Sequence, residues 1–251
     1  MATTDLLTQV LAPEGEGYYC IVGLRQDDGR PKQTFHATIA ETATKIDELL
    51  QEQCNVYFAC AKYKDPKEGR IQPNGDIIKA FWIDVDCGLG KPYADQAEGL
   101  SALKEFCAKV RLPLPTIVNS GRGIHAYWRL TTVVDRLQWK PVAERLKALC
   151  EEHEFFADPT RTADNASILR VPETFNFKDE EGLPVEIWAV EPELEYEAIK
   201  SVIGVLIAPD WMPKKLDEVT KSLLGNKQSR FKTIMLKTMN GKGCAQLENI
   251  F

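Results

Sequence analysis

The sequence predicts a mixed α/β or α+β protein, because stretches typical of strands and of helices follow one another along the whole chain. Apolar runs of four to eight residues, or runs alternating with polar residues, indicate strands. Longer runs with apolar residues three and four positions apart indicate amphipathic helices. The 251 residues fit one large domain, or one domain with a small appendage.

The first part of the chain predicts a β-hairpin, a helix and a strand. Residues 18–24 (YYCIVGL) and 33–38 are the hairpin strands, since Asp27-Asp28-Gly29 between them favours a tight turn. Residues 41–53 have helical spacing of apolar side chains. Residues 55–63 (NVYFACAKY) alternate like a single strand.

The middle of the chain contains the most apolar run, 77–86 (IIKAFWIDVD), which predicts a buried central strand. Residues 64–76 before it are polar, with two prolines and two glycines, and predict a loop. A helix is predicted over 95–110, and the prolines at 113 and 115 end it.

The remaining elements follow the same alternation. The predicted strands are 116–119, 124–130 and 185–190, and the predicted helices are 134–152, 195–205 and much of 214–251. Residues 157–183 show no strong periodicity, and a structureless stretch of this length in a compact domain is often functional. We place a domain boundary near Pro209, which gives a body over 1–209 and a helical segment over 210–251 that we expect to continue in a longer protein.

Composition excludes several classes of protein. The values are near the globular average, which excludes a disordered, collagen-like or coiled-coil chain. No apolar run is long enough for a transmembrane helix, and the first residues lack the pattern of a signal peptide, so we expect a cytoplasmic protein with no membrane partner. The seven cysteines form no CxxC and the three histidines have no metal-ligand spacing, so no zinc site is predicted.

The net charge of −6 is unevenly distributed. Residues 211–251 hold eight Lys and Arg against three Asp and Glu, a net charge of +5, which leaves −11 on residues 1–210. Two interpretations of the basic segment stay open: a solvated helical face, or a contact with nucleic acid or with another part of the chain.

Three local patterns carry candidate chemistry. The first is Asp84-Val85-Asp86 at the end of the predicted central strand. Positions i and i+2 of a strand face the same side, so the two carboxylates lie close together and favour either a shared proton or a bound cation. Mg²⁺ and Mn²⁺ prefer such oxygen ligands, although a polar strand end would have the same sequence.

The second pattern is the segment 119–128 (NSGRGIHAYW), and the third is the long stretch 157–178. Small residues allow a backbone to approach a ligand closely, Arg122 can bind phosphate, and His125 follows on a strand. A tight hairpin with a structural histidine would also explain the second pattern. The third pattern contributes acids, arginines, an asparagine and a lysine, and its alternative is a solvated surface loop.

The order of these patterns resembles the archaeo-eukaryotic primase superfamily, and most of all the primase–polymerase domains of phages, plasmids and mobile elements. The resemblance consists of DxD, then Ser-Gly-x-Gly-x-His, then an apolar–Asp element followed by Leu-Arg-Val-Pro-x-Thr-x-Asn-x-Lys. These motifs span about 81–178, and the order of elements extends the likeness over about 15–205. One departure is Glu173, where we expect glycine.

The resemblance implies an α+β catalytic core with an RRM-like sheet that bears the active site, followed by a small helical segment. It implies metal ligation by Asp84, Asp86 and Asp158, with Asp164 and Glu186 as alternates for the third ligand. It implies catalytic roles for those first three acids and for His125, the latter beside the nucleotide's phosphates. The implied nucleotide-binding residues are Ser120, Arg122, Gly123, His125, Arg170, Asn176 and Lys178.

The activity implied is that of a template-directed nucleotidyltransferase, a DNA primase or primase–polymerase that uses two divalent ions, Mg²⁺ or Mn²⁺. The implied partners are single-stranded DNA, nucleoside triphosphates and a helicase domain or protein, in a bacterial or phage-infected cell. Two other functions remain open from the residues alone. One is a different DxD enzyme, either a nuclease or a glycosyltransferase, and the other is a non-catalytic replication-initiator module that binds DNA.

Overall fold

The computed structural model describes residues 3–25, 30–178 and 182–204. The helices are α1 (Thr3–Val10), α2 (Ile39–Gln51), α3 (Gln96–Val110), α4 (Arg136–Glu152), α5 (Pro159–Thr162) and α6 (Tyr196–Ile203). The first strands are β1 (Tyr19–Leu24), β2 (Pro31–His36), β3 (Asn55–Ala59), β4 (Ala61–Tyr63), β5 (Gly75–Asp86) and β6 (Thr116–Asn119). The later strands are β7 (Gly123–Val134), β8 (Ile168–Arg170), β9 (Phe175–Asn176), β10 (Leu183–Pro184) and β11 (Glu186–Ala189).

Two antiparallel sheets form the body of these residues. One has four strands in the order β2-β1-β3-β8, and the other has five in the order β11-β6-β7-β5-β4. Strands β9 and β10 make a separate two-stranded ribbon. Helix α2 packs on β1 and β3, whereas α3 and α4 pack on the larger sheet, so each sheet has a helix-covered face.

Strand β5 is the buried centre that its apolar sequence predicts. Phe81, Trp82 and Ile83 have no exposed surface. The ring of Trp82 stacks on Trp139 of α4 with 4.8 Å between centroids, and the Trp139 indole N–H donates to the carbonyl of Ala80 at 2.9 Å. Packed aromatic rings of this size dominate core energetics, so this contact fixes α4 against β5.

The prediction of one strand over 55–63 is wrong. The chain forms β3 and β4, which belong to different sheets and are separated by Cys60 alone. The Cys60 amide donates to the carbonyl of Ser167, the next position in the β3–β8 register, and the change of sheet follows directly. Alternation of apolar residues is the same in one long strand as in two short ones, so the pattern could not reveal the change of partner.

The stretch 157–183 is also more ordered than its sequence predicts, since it contains α5, β8, β9 and the first residue of β10. Strand β8 pairs with β3, more than a hundred residues earlier, so its stability comes from distant pairing rather than from local periodicity. Helix α1 has no counterpart among the predicted elements. The other predicted strands and helices within the described residues are present, with bounds shifted by a few positions.

Six of the seven cysteines lie in the described residues, and all six are buried free thiols, as expected for small apolar residues. The predicted helical segment 210–251 lies outside the described residues. Within the described part of the chain, no helix has the length and apolar character needed to cross a membrane.

We predict that Gly123→Ala destabilises the fold by about 2 kcal/mol, because the added methyl group would lie 2.3 Å from the backbone oxygen of Val85 on β5. The loss is measured as a lower free energy of unfolding in urea. Thr131→Ala, at an exposed position of the same strand, is the control and should cost less than about 1 kcal/mol. Equal losses in both variants would contradict the close approach of β5 and β7.

Candidate active site

A cleft of about 310 Å³ lies between the two sheets at the end of β5. Its walls come from β1, β3 and β8 of the smaller sheet and from β5 and β7 of the larger one, with residues from α5 and β9 at its sides. All ten residues predicted as principal site residues line it: Asp84, Asp86, Ser120, Arg122, Gly123, His125, Asp158, Arg170, Asn176 and Lys178. The fold therefore collects into one place residues that are up to 94 positions apart in the sequence.

Asp84 and Asp86 close the end of β5, opposite His125 and Gly123 of β7. The Asp84 side chain is one-fifth exposed, whereas Asp86 is about half exposed. The Asp86 Oδ2 forms an ion pair with Lys91 Nζ at 2.7 Å. The first carboxylate therefore lies inside the cleft, and the second lies at its rim with a lysine as counter-ion.

Asp158 joins this pair through the backbone. Its amide donates to the carbonyl of Asp84 at 2.7 Å, and one turn later the carbonyl of Arg161 accepts from the indole N–H of Trp82 at 2.9 Å. The Asp158 Oδ1 caps α5 by accepting from the amide and hydroxyl of Thr160. Two hydrogen bonds thus hold residues 158–161 against β5.

The three carboxylates affect one another electrostatically. Burial, together with the negative charges of Asp86 and Asp158, raises the pKa of Asp84 to about 7. Arg161 and Lys178 act in the opposite direction without cancelling that rise. The cluster therefore favours binding either a proton or a cation at neutral pH.

His125 is fully enclosed between the strands. Burial, reinforced by the positive charges of Arg170 and Arg161, lowers its pKa to about 3. Its Nε2 lies 3.7 Å from the Asp84 Oδ1, too long for a hydrogen bond, and its Nδ1 lies 3.4 Å from the hydroxyl of Tyr127. The imidazole is therefore neutral at pH 7, so in this state it can offer a hydrogen bond but no charge to a phosphate.

The turn between β6 and β7 lies beside these groups and is held by its own side chains. The amide of Gly121 donates to Asn119 Oδ1, and that of Gly123 donates to Ser120 Oγ. Gly121 has a φ of +87°, and a Cβ there would meet the Cβ of Asn176 at 2.8 Å. Only glycine both adopts this positive φ easily and lacks a Cβ, which explains the first glycine of the GxG pattern. Asn176 in turn donates to the carbonyl of Ser120 at 2.9 Å and fastens the turn to the third motif.

Arg170 lies on β8, in the smaller sheet, and two residues of the neighbouring strand β3 position its side chain. Its guanidinium lies over the ring of Tyr57 at 4.7 Å, and it donates to Asn55 Oδ1 at 2.7 Å. The same oxygen accepts from the amide of Phe177, and Lys178 follows at the cleft with its amide on Asn176 Oδ1. Asn55 therefore connects both basic positions of the third motif to β3.

The alternates for the third acid lie outside the lining of the cleft. Asp164 turns back to accept from the amide of Ala166. Glu186 lies on β11, which β6 and β7 separate from β5, a spacing of about 14 Å. Four residues contribute to the site without a role predicted from the sequence: Asn55, Tyr57, Lys91 and Arg161. Of these, Arg161 had a usable signal, since it follows Asp158 by one helical turn.

Three solved structures have folds similar to that of this chain. The chain is similar to the AEP domain of a primase–polymerase from cyanophage S-2L, with a TM-score of 0.60 and 17% identity over 80% of this chain and 97% of that domain. It is similar to the catalytic domain of primase RepB′ in complex with initiator DNA (TM-score 0.51, 16% identity, 80% of this chain and 91% of that one). Primase RepB′ itself gives a TM-score of 0.52 at 14% identity, over 95% of this chain and 69% of that one.

The chain has an archaeo-eukaryotic primase-like fold. The expected α+β class and the resemblance stated from the motifs are thereby confirmed. No family model matches the sequence, and a search of curated proteins finds no match.

This primase-like fold keeps an unusual backbone at Glu173, the position where the family pattern predicts glycine. Its φ is +61°, in the left-handed region that glycine adopts most easily. Its amide donates to the carbonyl of Val185 at 2.7 Å. The turn therefore has the conformation that glycine would provide, although a glutamate occupies it.

The three acids suit a divalent cation by their chemistry. They supply only carboxylate oxygens, the ligands that Mg²⁺ and Mn²⁺ prefer, and their mutual repulsion would be relieved by a cation. Across residues 3–25, 30–178 and 182–204, no group of three or more His, Cys, Asp or Glu side chains has the geometry of a preformed metal site. Asp86 and Asp158 instead contact Lys91 and Thr160, which a metal would have to replace.

We predict that Asp84→Asn stabilises the metal-free protein at pH 8 by on the order of 2 kcal/mol. The raised pKa means that folding disfavours the ionised form, so the folded protein loses stability as the pH rises from about 4 to about 7. Asparagine keeps the shape of the protonated acid and removes that loss.

The measurement is urea unfolding in EDTA at pH 4 and pH 8, where the advantage of the variant should appear only at the higher pH. Asp47→Asn, on the exposed face of α2, should change stability by less than about 0.5 kcal/mol at either pH. An advantage of Asp84→Asn that does not grow with pH would contradict the carboxylate cluster.

Proposed function

We propose that the chain is a template-directed nucleotidyltransferase, a DNA primase or primase–polymerase that synthesises primers on single-stranded DNA. The observation that carries the proposal is that acidic and basic side chains line the same cleft. Three carboxylates lie at the end of β5, and four basic side chains line the same space: Arg122, Arg161, Arg170 and Lys178. A nucleoside triphosphate with divalent ions needs both kinds of group within a few ångströms.

In this proposal, Asp84, Asp86 and Asp158 hold the divalent ions, Mg²⁺ or Mn²⁺. When bound, such ions lower the pKa of an attacking hydroxyl and neutralise charge on the leaving pyrophosphate. The chain itself positions the three acids, because β5 and the backbone hydrogen bond from Asp158 to Asp84 hold them before the substrate binds.

The triphosphate is bound by the basic side chains that line the cleft. Asn55 and Tyr57 hold the Arg170 guanidinium in place before a nucleotide binds, and Lys178 adds a second positive charge. Arg122, in the glycine turn, adds guanidinium donors. His125, neutral in the empty cleft, donates one hydrogen bond, and the charge comes from the arginines.

The partners in this proposal are single-stranded DNA and nucleoside triphosphates, in the cytoplasm of a bacterium or phage-infected cell. The acidic body gives little general attraction for DNA, so template binding depends on local basic groups. A helicase partner and a role for 210–251 remain predictions.

The decisive experiment measures incorporation of labelled nucleotides on single-stranded DNA with Mn²⁺ or Mg²⁺. We expect Asp84→Asn and Asp158→Asn to lose at least about a hundredfold in rate, because each removes a charged oxygen ligand while keeping its shape. Asp164→Asn and Glu186→Gln should retain activity within a few fold, since both lie outside the cleft. Equal losses for Asp158 and Asp164 would contradict this choice of third acid.

The same reaction separates the two other candidate functions. A pre-labelled DNA strand that is degraded, or a nucleotide-sugar that is turned over, would identify a different DxD enzyme. Tight DNA binding that survives Asp84→Asn, with no incorporation from any nucleotide or template, would identify a non-catalytic initiator module.

We further predict that Lys91→Gln lowers the apparent Kd for Mn²⁺ severalfold. The Lys91 ammonium contacts Asp86 at 2.7 Å, so it competes with an added cation and repels it. The affinity is measured from the electron spin resonance of free Mn²⁺ without nucleotide. Lys104→Gln, at an exposed position of α3, should leave the Kd unchanged, and an unchanged Kd in Lys91→Gln as well would show that Lys91 does not compete.

A further inference from the structure

A second and larger cavity, of about 760 Å³, lies on the other side of the acids. Its lining comes mainly from the end of α4 and from residues 154–159, with Lys91 and Pro92 opposite. Asp86 and Asp158 line both this cavity and the cleft. The two carboxylates therefore form the boundary between two separate binding spaces.

The second cavity presents an exposed aromatic ring. Phe156 is 58% exposed, although its neighbour Phe155 is buried and stacks on Phe106 of α3. The amide of Phe156 donates to the hydroxyl of Tyr93 at 3.0 Å, and the edge of the Tyr93 ring faces the Phe156 ring. Phe156 is thus held in place while its ring remains accessible, as expected of a platform for a planar ligand.

The charges of the two spaces differ. The cleft carries four basic side chains and three acids, whereas the second cavity carries two lysines, Lys91 and Lys147, against four acids: Glu151, Glu154 and the shared Asp86 and Asp158. A triphosphate therefore belongs in the cleft. The second cavity has fewer basic groups than acids, so it suits the uncharged planar part of a ligand, and the terminal base of a nucleic-acid chain is such a group.

We propose that this cavity binds the 3′-terminal nucleotide of a DNA primer strand, with its base stacked on Phe156. The proposal rests on the function given above. The primer's 3′-hydroxyl attacks the α-phosphorus of the nucleotide in the cleft and forms the new P–O bond, the bond to the leaving pyrophosphate breaks, and the hydroxyl proton passes to solvent. Both reacting groups must meet at the acids, and Asp86 and Asp158 are shared by the two spaces.

The first test does not require turnover. A primed DNA template with 5-iodo-2′-deoxyuridine at the primer's 3′ end is irradiated with the full chain in Mn²⁺, and the crosslinked peptide is identified by mass spectrometry. We expect the crosslink at Phe156, and its loss in Phe156→Ala. A crosslink to cleft residues such as Tyr57, or no binding of the primed template, would overturn the proposal.

The second test separates the two spaces kinetically. Phe156→Ala should raise the KM for the primed template about tenfold, because stacking of one base is lost, while the KM for the incoming nucleotide stays unchanged. Phe156→Tyr, which keeps an aromatic ring, should have the wild-type KM for the primed template. Leu137→Ala, which shortens an exposed apolar side chain of α4, should not alter that KM.

These outcomes distinguish the failure of this proposal from the failure of the proposed function. Incorporation by the wild type with an unchanged primer KM in Phe156→Ala would overturn the assignment of the cavity and leave the function standing. No incorporation by the wild type would overturn the function, and the crosslink would then show by itself whether the cavity holds a primer end. A rise in both KM values would contradict two separate spaces.

Discussion

The repulsion among three carboxylates is the constraint on which the described structure depends. Left to themselves, Asp84, Asp86 and Asp158 would separate, because charges at short range raise one another's free energy. Two hydrogen bonds, from the Asp158 amide to Asp84 and from Trp82 to Arg161, hold the loop to β5 against that repulsion. Burial is the main cause of the raised pKa of Asp84, and the charges of Asp86 and Asp158 raise it further.

The packing around β5 supplies the rigidity that this arrangement needs. Trp82 stacks on Trp139 and bonds to the loop at the same time, so one side chain connects α4, β5 and α5. The opposite wall follows a similar principle, since Asn55 holds Arg170 and the backbone after Asn176 with one carbonyl oxygen. The acids are thereby placed by β5 and the start of α5, and Arg170 is placed by the smaller sheet, so both sheets contribute charged groups to the one cleft.

Local sequence patterns were sufficient to predict part of the fold and of the candidate site. The apolar run before Asp84 predicted the central strand, and the glycine spacing around Arg122 predicted a tight turn, because both depend on neighbouring residues. The order of the motifs predicted which residues share the cleft. The sequence could not reveal that Asn55 positions Arg170, that Lys91 pairs with Asp86, or that His125 is neutral. Each depends on contacts or burial between distant segments.

The single residue between β3 and β4 has a mechanical consequence. Because the chain passes from one sheet to the other at Cys60, β3 and β4 are covalently continuous and the two walls of the cleft are fastened to each other at that point. A displacement of either sheet at Cys60 would therefore be transmitted directly to the other.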